Sequence, residues 1–488
     1  MSENLDLESL SLKLAESKPS EDAKDESPKS VIAEPSDSSV SGESSVSNKP
    51  AGDAAEQQQA DSEEPDSGLI QNEYEVKVKL ADLQADPDSP FYSVKSFEEL
   101  DISKELLDAL YRMKFYKPSK IQEKALPLLL KNPPENLIAQ SQSGTGKTAA
   151  FTLAMLTRVI PSIKQPQALC LCPTRELARQ TLDVVRTMGR YTDITVGLAV
   201  PESVDKDERL DAQVVVGTAG TVLNLIRRKQ FDPSKMQMLV LDEADNMLEL
   251  NGMGSQCTRV KQSLPGTVQY ALFSATFDDA VYSYALKFVP RPNEIRLQHV
   301  ELNVDAITQI YIDVDGDAQK TNTLMKLYGL MTVASSIVFV ATKATADSLA
   351  KKMINAGHKV SVLHGDLEKA DRDRLMDDFR ERRSKVLITT NVLARGIDIP
   401  TVTMVVNYDM PVDANGKPDP STYLHRIGRT GRFGRSGVAI SFVHDARSYQ
   451  VLTDIKKYFN GGVVMTKVDI GDDLESAEKA IKKAIKGK

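Results

Sequence analysis

The sequence predicts an α/β protein of two tandem domains, each a mostly parallel sheet flanked by helices, behind a disordered acidic N-terminal tail. Three observations predict it. From Phe97 onward, apolar runs of strand length alternate with helix-compatible stretches, the pattern of a parallel sheet covered on both faces. The alternation lapses at residues 298–304 and then restarts, and each half is about one domain in size. Residues 1–70 contain no aromatic residue and carry 17 acidic against 5 basic side chains, too little apolar surface to offset the entropy of ordering.

The bulk numbers set the bounds. A chain of 488 residues has room for about two to four domains. Its formal charge of −8 is uneven: the first 70 residues carry −12, which leaves 56 basic and 52 acidic residues, or +4, in the rest. A mildly basic body permits nucleic-acid binding without demanding it. No apolar run approaches the ~20 residues of a membrane span, so no membrane insertion is expected. The start, Met1-Ser-Glu-Asn-Leu-Asp, lacks the basic and apolar regions of a signal peptide. Cys170, Cys172 and Cys257 make neither a disulfide framework nor a zinc site, which points to a reducing compartment, cytosol or nucleus.

Taken in order, residues 1–70 read as a solvated tail, or as one that competes for RNA or is phosphorylated. Residues 71–95 mix charge with Val and Leu and suggest a short helix ending before Pro87, a flanking segment that lies on the first domain or regulates it. The first domain, 96–297, has strand-length runs at Leu137–Ala139, Ala168–Leu171, Val214–Val216, Met238–Leu241 and Tyr270–Phe273, with a helix over Glu176–Gly189. Residues 298–304 form a linker. The second domain, 305–480, repeats the pattern at Ser336–Val340, Val360–Leu363, Val386–Ile388, Val405–Asn407 and Val438–Phe442. The stretch from Lys456 to Lys488 reads as helix and charged end, with 481–488 basic.

One glycine loop organises the first half. Asn136-Leu-Ile-Ala139 leads into Ser141-Gln-Ser-Gly-Thr-Gly-Lys-Thr148, and Ala149-Ala-Phe-Thr-Leu-Ala-Met-Leu156 leads out. Strand, glycine loop, Lys-Thr and helix is the order of a P-loop. Backbone N–H groups from Ser143, Gly144, Thr145 and Gly146 would turn to phosphate oxygens, and the helix dipole points its positive end at them. Lys147 should reach the β- and γ-phosphates and Thr148 should hold Mg²⁺. Ser141 stands where the general pattern has Gly. The bland alternative is a glycine-rich turn without a ligand. The second half has no such loop, which suits a ligand held between two domains.

Leu239-Val-Leu-Asp-Glu-Ala-Asp245 is an apolar strand ending in acids, and ligands of open α/β sheets bind beyond the carboxyl ends of strands. Asp242 is placed to hold Mg²⁺, directly or through water, and Glu243 to deprotonate an attacking water. The alternative is a solvated acidic loop. Asp-Glu-Ala-Asp resembles the name-giving motif of the DEAD-box RNA helicases, and the resemblance runs from Phe97 to about Phe459. It implies two tandem RecA-like domains and an ATP-driven, RNA-dependent activity.

Phe115-Tyr-Lys-Pro-Ser-Lys-Ile-Gln122 resembles the Q motif, which implies that Phe115 stacks on adenine and Gln122 bonds to the base edge. Pro173-Thr-Arg-Glu-Leu-Ala178 and Thr218-Ala-Gly220 resemble RNA-gripping motifs, implying roles for Thr174, Arg175, Thr218 and Gly220. Ser274-Ala-Thr276 resembles the element that couples the nucleotide site to closure, and the resemblance gives Asp245 the same role. Ala219 stands where the family has Pro and Thr221 where it often has Arg; its Gly-Gly element is not evident near Val200-Pro-Glu-Ser203. In the second half, Thr389-Thr-Asn-Val-Leu-Ala-Arg-Gly-Ile-Asp398 and His425-Arg-Ile-Gly-Arg-Thr-Gly-Arg432 are close matches. They imply Arg429 and Arg432 as arginine fingers, Asp398 at the ribose, Thr390 and Gly396 on the RNA backbone, and His425 as a bridge between domains. Asp371-Arg-Asp-Arg374 partly resembles an element normally opened by Gln, where this chain has Lys369. His364 reads as a turn residue after a strand. Neither His364 nor His425 has the clustered ligands of a metal site.

Tyr74–Asp86, the Ser141-Gln-Ser-Gly form of the loop and the insert Asp413-Ala-Asn-Gly-Lys-Pro-Asp-Pro420 resemble one subclass, the mRNA-export ATPase at the cytoplasmic face of the nuclear pore complex. That implies a monomer in cytoplasm and nucleus, a cytoplasmic nucleoporin on the first domain, and an activator that uses inositol hexakisphosphate. The mechanism expected is closure around ATP·Mg²⁺ and single-stranded RNA, bending the strand and remodelling RNA–protein complexes, with hydrolysis resetting the open state. An ATP-gated RNA clamp with little turnover and a DNA translocase of the wider superfamily are the rivals. A small-molecule kinase leaves the second sheet unexplained.

Overall fold

The computed structural model describes residues 77–80, 93–141, 144–248, 253–296, 307–330, 335–391, 399, 401–431, 436–459 and 463–469. The expected disordered tail over 1–70, the linker over 298–304 and the basic end over 481–488 lie outside the described residues.

The first sheet is built in chain order from β1 (Lys77–Lys79), β2 (Asn136–Gln140), β3 (Ala168–Leu171), β4 (Val196–Ala199), β5 (Val214–Gly217), β6 (Met238–Asp242), β7 (Gln269–Ser274) and β8 (Pro292–Arg296). Their spatial order is β1-β8-β2-β7-β6-β3-β5-β4, parallel throughout except at β1. Helices α1 (Lys104–Arg112), α2 (Lys120–Leu130), α3 (Lys147–Arg158), α4 (Arg175–Met188), α5 (Ala219–Arg227), α6 (Ala244–Leu248), α7 (Gly254–Gln262) and α8 (Asp279–Phe288) surround it. Every residue of β3, β5, β6 and β7 is buried, as a sheet covered on both faces requires. Alternate residues feed opposite cores: Ala168, Val214, Val240 and Phe273 on one face, and Leu169, Val215, Leu241 and Leu272 on the other.

The second sheet comprises β9 (Ile307–Asp313), β10 (Ser335–Phe339), β11 (Val360–Leu363), β12 (Val386–Thr389), β13 (Val402–Asn407), β14 (Gly437–Val443) and β15 (Met465–Lys467). Its order is β11-β12-β10-β13-β14-β9-β15, with parallel pairs. The helices are α9 (Gly316–Leu330), α10 (Lys343–Asn355), α11 (Lys369–Arg380), α12 (Pro420–Ile427) and α13 (Ala446–Tyr458). Side chains start the helices that matter for the site. Thr174 accepts from Leu177 N at the head of α4, and Asp419 accepts from Thr422 N at the head of α12, which opens on Pro420; both are standard N-caps.

Two expectations are corrected. Over Lys77–Lys79 the anticipated helix before Pro87 is instead the strand β1, paired antiparallel to β8 with Val78 opposite Ile295. The period of two in Val76-Lys-Val-Lys-Leu80 explains it: Val78 and Leu80 face the core, and Lys79 pairs with Glu294 at 2.9 Å. Residues 71–76 and 81–92 lie outside the described residues. The helix expected from Lys456 stops at Tyr458, and Met465–Lys467 extend the second sheet beside β9. Val463 and Met465 are buried while Val464 is exposed, the alternation of an edge strand. Residues 470–488 lie outside the described residues.

Leu80 is 6% exposed within the first core, so the flanking segment is tied to the domain by apolar burial. Leu80→Ala is expected to cost about 2–4 kcal/mol in the unfolding of the first domain, measured by urea denaturation of the full chain. A change under about 0.5 kcal/mol, the scale of a surface substitution, would show that β1 contributes no stability.

Candidate functional site

The carboxyl ends of the parallel strands lie on one edge, and the strand order sorts the motifs along it. The glycine loop follows β2, the acids follow β6, and Ser274-Ala-Thr276 ends β7 between them. Farther along, Thr174 follows β3 and Thr218 follows β5.

Gly146 adopts φ +98 at the head of α3, where a side chain is strained. A Cβ there would meet Gln122 Nε2 at 2.6 Å. Gln122 is packed onto the glycine loop: its Nε2 donates to the Gly146 carbonyl (3.1 Å) and its Oε1 accepts from Ser119 N (2.9 Å). Ser119 Oγ donates to the Thr145 carbonyl at 2.6 Å. So the Q-motif helix α2 grips the loop through two residues. Phe115 is half-buried against the first core, its N–H bonded to Leu110 O. Ser141 is buried, its N–H donating to Ser274 O (3.0 Å) and its hydroxyl sharing a bond with Thr145 (2.6 Å). The hydroxyl does a job glycine could not. Lys147 is buried and donates to the Ser141 carbonyl at 2.5 Å. Thr148 is half-buried in the first turn of α3. Ser143 lies outside the described residues.

Asp242 is buried at the end of β6, and burial, reinforced by Glu243, pushes its carboxyl up to about 7 against the pull of Lys147. A buried acid of high proton affinity beside a lysine is a site that an added cation would favour. With the Thr148 hydroxyl this donor set fits a hard divalent cation. Glu243 sits at φ +49, an outlier for a residue with a side chain. Its N–H donates to Asp242 Oδ1 at 3.0 Å.

The second domain reaches these acids through α12. His425 Nε2 lies 2.9 Å from Asp245 Oδ2, and Nδ1 lies 3.8 Å from Glu243 Oε2. A carboxylate partner assigns the proton to Nε2. Thr276 Oγ1 donates to the same Asp245 oxygen at 2.6 Å. Arg429 is buried one turn on, its Nε donating to the His425 carbonyl at 2.8 Å. Asp398 and Arg432 lie outside the described residues.

On the other flank, Thr174 serves as the cap of α4, and Thr218 Oγ1 bonds Thr221 Oγ1 at 3.1 Å. Gly220 faces Gln256, which an added Cβ would meet at 2.9 Å. Thr390 is buried after β12, and Gly396 lies outside the described residues. Arg175 donates to Asp373 of the second domain (2.7 Å) and to the Pro201 carbonyl (2.7 Å). Arg179 also reaches Asp373, at 2.5 Å, and Arg372 pairs with Glu176 at 2.7 Å. This crossed set between α4 and α11 was missed from the sequence. Its only trace there is opposite charge at Arg175, Glu176 and Arg179 against Arg372 and Asp373. The two guanidinium groups hold the Asp373 carboxyl below the usual range despite its partial burial. Asp373→Ala should leave two arginines facing a gap and lower RNA-stimulated turnover about five- to thirtyfold, a loss of about 1–2 kcal/mol; steady-state ATPase assay checks it, and an unchanged rate would mean the crossed pairs carry no coupling.

Comparison with known proteins places this geometry. Residues 119–283 match the model "DEAD/DEAH box helicase" and residues 319–434 match "Helicase conserved C-terminal domain". The ATP-dependent RNA helicase DBP5 of Saccharomyces cerevisiae is 64% identical over 421 residues, 86% of this chain and 87% of that protein. The solved structure of S. cerevisiae Dbp5 bound to RNA and ADP BeF3 matches with a TM-score of 0.78 at 62% identity, covering 80% of this chain and 100% of that one. A Dbp5 variant bound to Nup159, a Gle1 variant, IP6 and ADP matches with a TM-score of 0.59 at 60% identity, covering 79% of this chain and 100% of that one. The chain belongs to the DEAD/DEAH box helicase family.

Proposed function

We propose that the chain is an ATP-dependent RNA helicase whose turnover waits for closure of its two RecA-like domains on single-stranded RNA. The observation that carries this reading is the approach of His425, from the second domain, to Glu243 and Asp245 of the first, with the three side chains converging within 4.8 Å. Catalytic groups come from both domains, so the open protein lacks a complete site. The greater likeness to Dbp5 bound to RNA and ADP BeF3 than to the nucleoporin-bound form (TM-score 0.78 against 0.59) supports a closed arrangement.

In this reading Phe115 and Gln122 select adenine, and the N–H groups from Ser143 to Gly146 with Lys147 bind the phosphates. Thr148 and Asp242 hold Mg²⁺, which supplies charge neutralisation at the phosphates when bound. Glu243 accepts the proton of the attacking water. Arg429 and Arg432 neutralise charge that develops at the γ-phosphate, and Asp398 meets the ribose. Asp245, Ser274, Thr276 and His425 couple hydrolysis to closure. Thr174, Arg175, Thr218, Gly220, Thr390 and Gly396 grip the RNA backbone and 2′-hydroxyls, hence with little sequence preference. Arg175 does this while sharing its guanidinium with Asp373.

The working boundaries are a tail over 1–70, a flanking segment over 71–95, domains over 96–297 and 305–480 with a linker at 298–304, and a basic end over 481–488. The partners of Dbp5 in the solved complex, Nup159, a Gle1 variant and IP6, support the same classes here: a nucleoporin and an inositol-hexakisphosphate-dependent activator. They support a place at the cytoplasmic face of the nuclear pore, in mRNA export; a monomer in cytoplasm and nucleus completes the reading.

Glu243→Gln is expected to retain ATP and RNA binding within about twofold and to lower turnover at least about a hundredfold, measured by nucleotide titration, RNA retention and steady-state ATPase; near-normal turnover would remove Glu243 from its role. Wild-type ATPase should rise with single-stranded RNA and not with DNA of the same sequence. Equal stimulation by DNA would favour a translocase, and tight RNA retention without turnover would favour a clamp.

A further inference from the structure

Between α12 and the Ser274-Ala-Thr276 turn lies a second bridge that no motif contains. Ser421, the second residue of α12, puts its Oγ 2.9 Å from Thr276 Oγ1 and 3.4 Å from Asp245 Oδ2. Thr276 gives its own proton to Asp245 Oδ2, so its oxygen is left to accept, and Ser421 O–H is the donor. Ser421 therefore donates to Thr276, with Asp245 Oδ2 as a second, longer acceptor at 3.4 Å, and Thr276 donates to that same oxygen. His425, one helical turn from Ser421, donates to that same carboxylate oxygen. Residues four apart share a helix face, so α12 delivers both donors in one motion.

The Ser421 hydroxyl is not needed to start its helix. The cap is Asp419, whose side chain accepts from Thr422 N at 2.8 Å. Nor does packing hold it, because Ser421 and Thr276 both line a cavity of about 610 Å³ between the domains, together with Asp278, Asn415 and Tyr458. Water can reach this wall, so the open state solvates each hydroxyl and only the difference is gained on closure.

We propose that Ser421 is a positioning residue for ATP hydrolysis: its hydroxyl ties Thr276 to the second domain and so orients Asp245 for His425 when the domains close. This rests on the closure reading above. It acts through Thr276 and Asp245 and touches none of the groups assigned to nucleotide. A loss should therefore fall on the closed, hydrolysing state and spare nucleotide affinity.

The test is RNA-stimulated steady-state ATPase of the full chain in wild type, Ser421→Ala, Ser421→Thr, Thr276→Val and the double variant Ser421→Ala with Thr276→Val. Ser421→Ala should lower kcat about three- to tenfold, the scale of one neutral hydrogen bond, and leave the KM for ATP within about twofold. Ser421→Thr should restore kcat, which separates loss of the hydroxyl from damage to α12. The double variant should lose less than the product of the two single losses, since both changes act on one network around Asp245. Wild-type kcat in Ser421→Ala overturns the inference, as does a Ser421→Thr as slow as Ser421→Ala or losses that multiply in the double variant. Wild type without RNA stimulation overturns the closure reading itself; normal stimulation with an unaffected Ser421→Ala overturns the inference alone.

Discussion

The hydrogen bond from His425 to Asp245 is the contact on which the site depends. Both side chains are almost fully buried, at 1% and 6% exposure. A carboxylate taken out of water must be met by donors, and here the donors come from two domains: Thr276 at 2.6 Å from its own and His425 at 2.9 Å from the other. Removing one partner from such a pair costs about 3–5 kcal/mol, because the remaining charge stays buried. Separation of the domains avoids that cost by returning Asp245 to water. The bond is thus strong when closed and absent without penalty when open, which is what a reversible switch requires.

The sheet explains how a second ligand biases the same switch. Strand β7 lies between β2, which carries the glycine loop, and β6, which carries the acids. Its last residue takes the Ser141 N–H on its carbonyl, and two residues later Thr276 bonds Asp245. At the far side of β6, strands β3 and β5 end in Thr174 and Thr218. There the crossed pairs of Arg175 and Arg179 with Asp373, and of Glu176 with Arg372, hold the other end of the cleft. The ion pairs to Asp373 are partly exposed, so each taken alone is worth little. Two clasps at opposite ends of one rigid edge fix the orientation of the domains, and each lowers the ordering cost of the other.

The sequence made the interior strands legible because they are buried on both faces, so β3, β5 and β6 read as unbroken apolar runs. The strands it hid are β1, β4 and β15 at sheet edges, and β8 and β9, whose apolar residues are interrupted by polar ones. β1 has three residues, β8 reads Pro-Asn-Glu-Ile-Arg, and β15 follows a helix whose pattern runs into it. Edge strands are half-solvated, and tertiary pairing rather than composition decides them. The site divides in the same way. The glycine loop and the acids after β6 are local in the chain and carry their chemistry in residue type. Asp373 and Ser421 are ordinary residues in ordinary helices. Their partners are 198 and 145 positions away, and nothing short of the folded arrangement of two sheets brings them together.

The turn at Glu243 shows why two adjacent carboxylates can do different work. Along an extended strand they would point to opposite faces, one of them into the apolar core beneath the sheet. The backbone at Glu243 instead turns left-handed, at φ +49, a conformation costing about 1–3 kcal/mol for a residue with a side chain. Glycine would adopt it freely, yet glycine would remove the acid. The strain is offset in part by the Glu243 N–H, which the turn aims at Asp242 Oδ1 at 3.0 Å. The result separates the pair. Asp242 stays buried by Lys147, with its carboxyl pushed up to about 7 where a cation is favoured. Glu243 is buried too, but its Oε2 lies 3.8 Å from the ring nitrogen that only the second domain can supply. An acid held there meets its partner on closure and not before, so the backbone strain at one residue is part of what makes hydrolysis conditional.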